Sequence, residues 1–237
     1  MSGKGQSKLN WKYALGEVVL IFIGITLAIA FQNWNESRKS KKIEIDLLTQ
    51  LQLDLKGLKS ELELDIEVAQ NIISLTDTIL FYNSIGSQKP FLSYFLRSGS
   101  ESYLSDVQVF PTSATYENLK SIGLEIIRDM EIRNKVIDLY DRKLVRAREW
   151  ESLVYQYGDR MVVLAEKNFK TTIGIEGQKY PVFAPESYEL FKDNKEVYHA
   201  LISYQKIRTT TISRYKDVEL LVNDLLGLLE KRGLKND

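Results

Sequence analysis

Tyr13-Ala-Leu-Gly-Glu-Val-Val-Leu-Ile-Phe-Ile-Gly-Ile-Thr-Leu-Ala-Ile-Ala-Phe31 runs for nineteen residues with one charge, Glu17, and is closed by Gln32-Asn33-Trp34-Asn35. A helix rises about 1.5 Å per residue, so about 20 apolar residues cross a hydrocarbon core of about 30 Å. A helix apolar on every face needs lipid or a large protein interior around it, and no other stretch of the chain is comparably apolar. The expectation is a basic N-terminal arm over 1–12, a transmembrane helix over 13–35 and a helical extramembrane domain over 36–237. A cleaved signal peptide is the competing reading: Lys4, Lys8 and Lys12 form a basic region, Val18–Leu27 an apolar one, and Ala28-Ile-Ala30 a small-x-small site. Bulky Phe31 carries the apolar run past that cut and favours a retained anchor.

Three lysines precede the span, while Arg38, Lys39, Lys41 and Lys42 follow it beside Glu36. The arm before the span has no acidic residue, which places the N-terminus in the cytoplasm and the large domain outside. Trp11, Tyr13 and Trp34 suit the two interfacial belts. Glu17 has two readings. Near a helix N-terminus the dipole favours an anion, and the carboxylate can reach the interface. Alternatively Glu17, Gly24 and Ala28 are spaced by seven and four and share one face. Gly24-xxx-Ala28 then lets a second helix approach closely, with the carboxylate contacting it.

Outside the span the chain is close to neutral. Of 32 basic and 32 acidic side chains, three and one fall in residues 1–35, leaving 29 against 31. No basic block of the kind a nucleic-acid surface needs stands out, so no nucleic-acid partner is expected. The chain has no cysteine, which excludes disulfides, thiol catalysis and thiolate-bound zinc.

From Arg38 to about Asn83 the pattern is helical. Leu47, Leu51, Leu55, Leu58, Leu62, Ile66, Ala69, Ile73, Thr76 and Leu80 recur at steps of four and three, as on one buried stripe. The absence of proline before Pro90 allows the membrane helix to run straight into this one, and Gly57 marks a bend or a close approach. Residues 84–111 read as loops around a short apolar helix at Phe91–Arg97. A helix with Thr112 or Ser113 as cap then runs to Ser121 and stops at Gly123.

The second long helix starts near Asp129 and ends at Phe169. Its stripe is Ile132, Val136, Leu139 or Tyr140, Leu144, Ala147, Trp150, Val154, Tyr157, Met161, Leu164 and Phe169, interrupted by Gly158. Lys170–Ala184 reads as loop and Pro185–Phe191 as a short helix. The third long helix, capped by Asp193 or Asn194, ends at Gly233. Its stripe is Val197, Leu201, Tyr204, Arg208, Thr211, Tyr215, Val218, Val222, Leu225 and Leu229. Arg208 and Thr211 mark a solvated gap under a loop, or a register-setting polar layer or small ligand pocket. No run alternates with period two, so no sheet is expected. The fold class is all-α: the membrane helix leads into an elongated antiparallel, coiled-coil-like bundle of three long helices with two or three short ones.

Two motifs resemble an uncharacterised family of small single-pass membrane proteins from flavobacteria-like Gram-negative bacteria. One is Tyr13-Ala14-Leu15-Gly16-Glu17, Leu20, Gly24-Ile25, Ala28 and Asn33-Trp34-Asn35-Glu36. The other is Thr115-Tyr116-Glu117-Asn118-Leu119-Lys120-Ser121-Ile122-Gly123 with Glu125-Ile126-Ile127 and Ile132-Arg133. The family carries Asn after that glycine, and Leu124 departs from it. The resemblance implies an anchor in the bacterial inner membrane with a periplasmic helical domain, and it supplies no activity.

Catalytic signatures are missing from the pattern. The one histidine, His199, lies on the third long helix, and there is no HExxH pair, Gly-x-Ser-x-Gly elbow or phosphate-cradling glycine loop. Carboxylate pairs such as Glu61/Asp65 read as a solvated helix face. No catalytic residue, metal or cofactor is therefore expected. Thr115, Tyr116, Glu117 and Lys120 form either a docking surface or part of a helix that plugs the bundle. The function expected is a non-enzymatic, single-pass envelope protein whose helical domain senses, tethers or scaffolds. The alternative is an accessory subunit of a larger membrane complex. The partners are the lipid bilayer and, through Glu17, Gly24 and Ala28, a second copy or another membrane protein.

Overall fold

A computed structural model describes residues 11–86, 111, 113–168, 171–172, 182–183, 192 and 194–233. The expected helices at Phe91–Arg97 and Pro185–Phe191, and most of the basic arm, lie outside the described residues. Helix α1 (Trp11–Ser84) is one unbroken helix of 74 residues, about 110 Å long at the standard rise. The apolar stretch therefore continues without a break into the polar stripe, and Gly57, exposed with open space around it, interrupts nothing.

Helix α2 (Ala114–Ile122) ends at Gly123, whose φ of 109° suits only a residue without Cβ. A Cβ there would also meet Glu125 Oε2 at 3.1 Å, which is the physical reason the Thr115–Gly123 motif closes on glycine. Ser113 occupies the cap position of α2 without a side-chain hydrogen bond. A short 3-10 turn (Leu124–Ile126) leads to α3 (Met130–Asp138). The Asp129 carboxylate caps α3 by accepting the N–H groups of Glu131 and Ile132 at 2.9 and 3.2 Å. A π turn (Leu139–Lys143) joins α3 to α4 (Leu144–Asn168). Its extra residue resolves the ambiguity at this point of the stripe, because Leu139 and Tyr140 both turn inward.

Two two-residue strands, β1 (Thr171–Thr172) and β2 (Val182–Phe183), pair antiparallel. They correct the expectation of no sheet: a two-residue ladder is too short to leave an alternating pattern in the sequence. Otherwise the described residues form a helical protein. Asn194 caps α5 (Lys195–Lys231), accepting the N–H groups of Glu196 and Val197 at 3.1 Å. Gly233, at φ 80°, donates to the Glu230 carbonyl just beyond its end.

Helix α5 packs against α1 and against α4. Glu44 meets Arg232 near one end and Asp77 meets Gln205 near the other, so α1 and α5 run in opposite directions. Lys135 meets Asp224 and Glu151 meets Tyr215, so α3–α4 also opposes α5 and runs the same way as α1. Every residue of the α5 stripe is buried, including Arg208 and Thr211, which rules out a solvated gap there. On α1 the stripe holds from Leu47 to Ala69 and then shifts by one residue, burying Ile72 and Ile79 in place of Ile73 and Leu80. On α4 it buries Glu151 and Gly158 while Trp150 and Tyr157 stay half-exposed. A Cβ at Gly158 would touch Tyr204 at 3.7 Å, so this glycine belongs to the stripe.

Candidate functional site

Three places gather the chemistry of the chain. The first is the apolar part of α1. The described side chains from Leu15 to Phe31, Glu17, Gly24 and Ala28 among them, are exposed. A Cβ added at Gly24 would meet nothing within 4 Å beyond the helix's own backbone. Arg38 stacks its guanidinium 5.0 Å from the Trp34 ring, and Phe31 packs 5.7 Å from the same ring. A cation over an indole at this point closes the apolar stretch with an amphipathic girdle.

The second is a clamp immediately beyond that girdle. Glu44 is 1% exposed. Its Oε1 accepts the Arg128 backbone N–H at 2.9 Å and Nη2 of Arg232 at 2.6 Å, while Arg128 Nε lies 3.8 Å from Oε2. Arg128 Nη2 also donates to the Ser37 carbonyl at 3.2 Å. One buried carboxylate on α1 therefore binds two other parts of the chain, the approach to α3 and the C-cap of α5. Such a charge is retained only because cationic donors and an N–H surround it. Sequence reasoning missed it. The available signal was position, since Glu44 extends the Leu47–Leu51–Leu55 stripe one step back.

The third is the middle of the bundle. Glu151 and Arg208 are each 3% exposed, and Tyr215 donates to Glu151 Oε1 at 2.7 Å. Arg208 donates to the Tyr204 hydroxyl and lies 4.7 Å from the centre of the same ring. Asp65 faces this layer from α1. Desolvation, then the charges of Glu151 and Glu61, push its carboxyl up to about 6. Burial and the neighbouring Glu151 carboxylate push the Tyr215 hydroxyl up as well. Asp65 of the Glu61/Asp65 pair is thus half-buried rather than solvated, and only Glu61 is exposed.

The Thr115–Lys120 motif splits between core and surface. Thr115 and Tyr116 are buried, whereas Glu117 and Lys120 are exposed and stand 3.8 Å apart. Tyr116 stacks on Tyr140 of the π turn, with centroids 4.4 Å apart and rings 8° from parallel, and donates to Asp141 Oδ2 at 2.8 Å. Burial, then the bond to Asp141, raises its hydroxyl pKa. Lys120 caps the outer face of the ring at 5.4 Å. His199 is exposed on α5. Among the described residues, no group of three or more His, Asp or Glu side chains is placed to hold a metal ion.

These features define a helical protein with one N-terminal helix long and apolar enough to cross a membrane. The chain belongs to DUF6090, a family of unknown function, whose model matches residues 17–175. The match contains Glu17, the clamp residues Glu44 and Arg128, and the Tyr116–Tyr140 stack, and it stops before α5. No curated protein and no solved structure matches the chain.

Proposed function

We propose that the protein is a non-enzymatic, single-pass protein of the bacterial inner membrane, anchored through 13–35, whose helical bundle senses, tethers or scaffolds on the periplasmic side. The observation that carries this reading is the change of environment along α1. Its side chains are exposed and apolar from Val18 to Phe31 and form a buried stripe from Leu47 onward, within one unbroken helix. A helix that leaves lipid and enters a bundle without a hinge holds the bundle rigidly on its anchor. The Glu44 clamp fastens the C-cap of α5 about 10 Å beyond Ser37, at the standard rise. A push on the far end of the bundle then reaches the anchor through packed helices rather than through a loop.

The second reading is an accessory subunit of a larger membrane complex. It draws on the unpartnered face of Glu17, Gly24 and Ala28. On that reading Glu117 and Lys120, the exposed part of the α2 motif, offer a further docking edge.

The absence of native cysteine makes single-cysteine variants clean probes. In intact cells, Glu117→Cys reacts with a membrane-impermeant maleimide if the bundle is periplasmic; labelling only after lysis would reverse the orientation. Alkaline extraction leaves an anchored protein in the pellet, and recovery of the full-length chain in the supernatant defeats the anchor. Crosslinking of Gly24→Cys to itself favours a homo-oligomer, and crosslinking to a foreign subunit favours the accessory reading.

A further inference from the structure

Arg142 and Lys143 close the π turn, and Arg146 follows on the first turn of α4. Arg214 approaches from α5. With Val145, Glu149 and Asp217 these side chains line a concavity of about 370 Å³ between the two helices. That is the size of a small-molecule site, which typically encloses roughly 300–1,000 Å³. The lining sets four cations against two carboxylates, with Asp138 paired to Arg142 just outside it, so the local balance is positive in a domain that carries 29 basic and 31 acidic side chains.

The four cations are not equivalent. Arg142 Nη1 lies 3.1 Å from Asp138 Oδ1, and Arg214 Nη1 lies 3.4 Å from Asp217 Oδ2. Arg214 also donates a hydrogen bond to Asp217, whereas the pair of Arg142 with Asp138 is an ion pair on an exposed side chain. Lys143 and Arg146 form no ion pair with any described residue. Two uncommitted positive charges beside two guanidinium groups, one of them oriented by a hydrogen bond, suit a compact anion. No aromatic ring lines the concavity among the described residues, so nothing there would stack on a nucleobase.

We propose that this concavity binds a small phosphate-bearing anion, with Lys143 and Arg146 supplying the free charges and Arg142 and Arg214 orienting the phosphoryl oxygens. The proposal goes beyond the anchored-bundle reading and holds whichever side of a membrane the bundle faces. The probe is inorganic pyrophosphate, titrated calorimetrically into the full chain in detergent, with citrate as the carboxylate comparison. Pyrophosphate binds the wild type, and its affinity falls as salt screens the exposed charges. In the double variant Lys143→Gln/Arg146→Gln the affinity drops about 100-fold, at about tenfold for each charged hydrogen bond removed. Arg146 is exposed on α4, Lys143 is half-buried at the end of the π turn, and glutamine is a comparable helix former, so circular dichroism and the melting temperature should stay close to the wild type. Should the double variant misfold, each single variant is measured instead, with about a tenfold loss expected. No binding of pyrophosphate to the wild type, equal binding to a folded variant, or citrate binding as tightly as pyrophosphate would each overturn the proposal.

Discussion

The two halves of α1 solve the same backbone problem against different surroundings. From Val18 to Phe31 nearly every side chain is apolar and all are exposed, so the pattern has no inward face. From Leu47 to Ile79 the apolar side chains form one stripe at steps of three and four, and charged residues such as Lys59 and Glu63 take the outer faces. Backbone hydrogen bonds are satisfied within the helix in both halves. What differs is who covers the side chains: α5 and α2 in the lower half, nothing among the described residues in the upper half. Hydrophobicity alone therefore says that a segment is covered, while periodicity says whether the cover comes from one side.

Leucine truncation gives the widest separation between the halves. Leu55 is fully buried, and Leu55→Ala removes transfer energy and leaves a cavity, costing roughly 2–5 kcal/mol. For a domain of this size that lowers the bundle's melting temperature by roughly 5–15 °C. Leu20→Ala, at a side chain 73% exposed, should leave the same transition unmoved. Thermal circular dichroism of both variants in one detergent makes the comparison; a matching fall in Leu20→Ala would mean the upper half is part of the folded core.

The two glutamates sharpen the contrast. Glu44→Gln keeps the shape of the clamp but removes the charge that Arg128 and Arg232 face, at a cost of about 1–3 kcal/mol in thermal or urea unfolding. The arginines are partly exposed and rehydrate, which keeps the loss below that of a fully buried pair. Glu17→Gln should leave bundle stability unchanged, because Glu17 is exposed outside the buried stripe.

How far the sequence revealed this arrangement depended on residue type more than on position. The α5 stripe was legible down to Arg208 and Thr211 because strict alternation of four and three carried the reading through two polar residues. The same rule points to Glu44, three residues before Leu47, and to Glu151, between Ala147 and Val154. Both read as surface residues in sequence because an isolated carboxylate is usually solvated. On α4 the larger, apolar Trp150 is the stronger stripe candidate in sequence than Glu151 beside it. The π turn was visible only as an unresolved choice between Leu139 and Tyr140, since an inserted residue looks in sequence like two candidates for one slot. The direction of α3–α4 relative to α1 left no local trace at all; it is fixed by long-range partners such as Glu151 with Tyr215.

Asp65 turns the lower half into a pH-dependent structure. Its carboxyl titrates near the ordinary 3.8 when unfolded and at about 6 when folded. Below the lower value both states are protonated and the difference vanishes. As the pH rises through about 6, the folded protein must ionise Asp65 beside Glu151 and Glu61, and stability falls. Asp65→Asn removes that loss. The variant should match the wild type near about pH 4 and exceed it by about 1 kcal/mol near about pH 8, a figure kept small because the group is only partly buried and solvent screens it. Urea midpoints across that range test the sign; an advantage confined to low pH would reverse the assignment.

The smallest effect separates two glycines with the same local geometry. Gly24 and Gly57 both lie inside α1, and a Cβ at either meets nothing within 4 Å beyond the helix backbone. If the surroundings were equivalent, alanine would stabilise both by about 0.5–1 kcal/mol, through helix propensity and a less flexible unfolded chain. Gly57 is exposed on the lower half, where that argument is complete, so Gly57→Ala should raise the unfolding free energy by this amount, seen as a higher urea midpoint. Gly24 stands one turn from Ala28 on the face shared with Glu17, where a small residue permits close approach of a second helix. If the proposed packing face is used, Gly24→Ile weakens association in membranes, while Gly57→Ile leaves it intact. Crosslinking yield of the two isoleucine variants carrying a common reporter cysteine at Ala28 decides the matter. Equal yields would mean that Gly24 serves the helix no differently from Gly57, and that the upper half is covered by lipid alone.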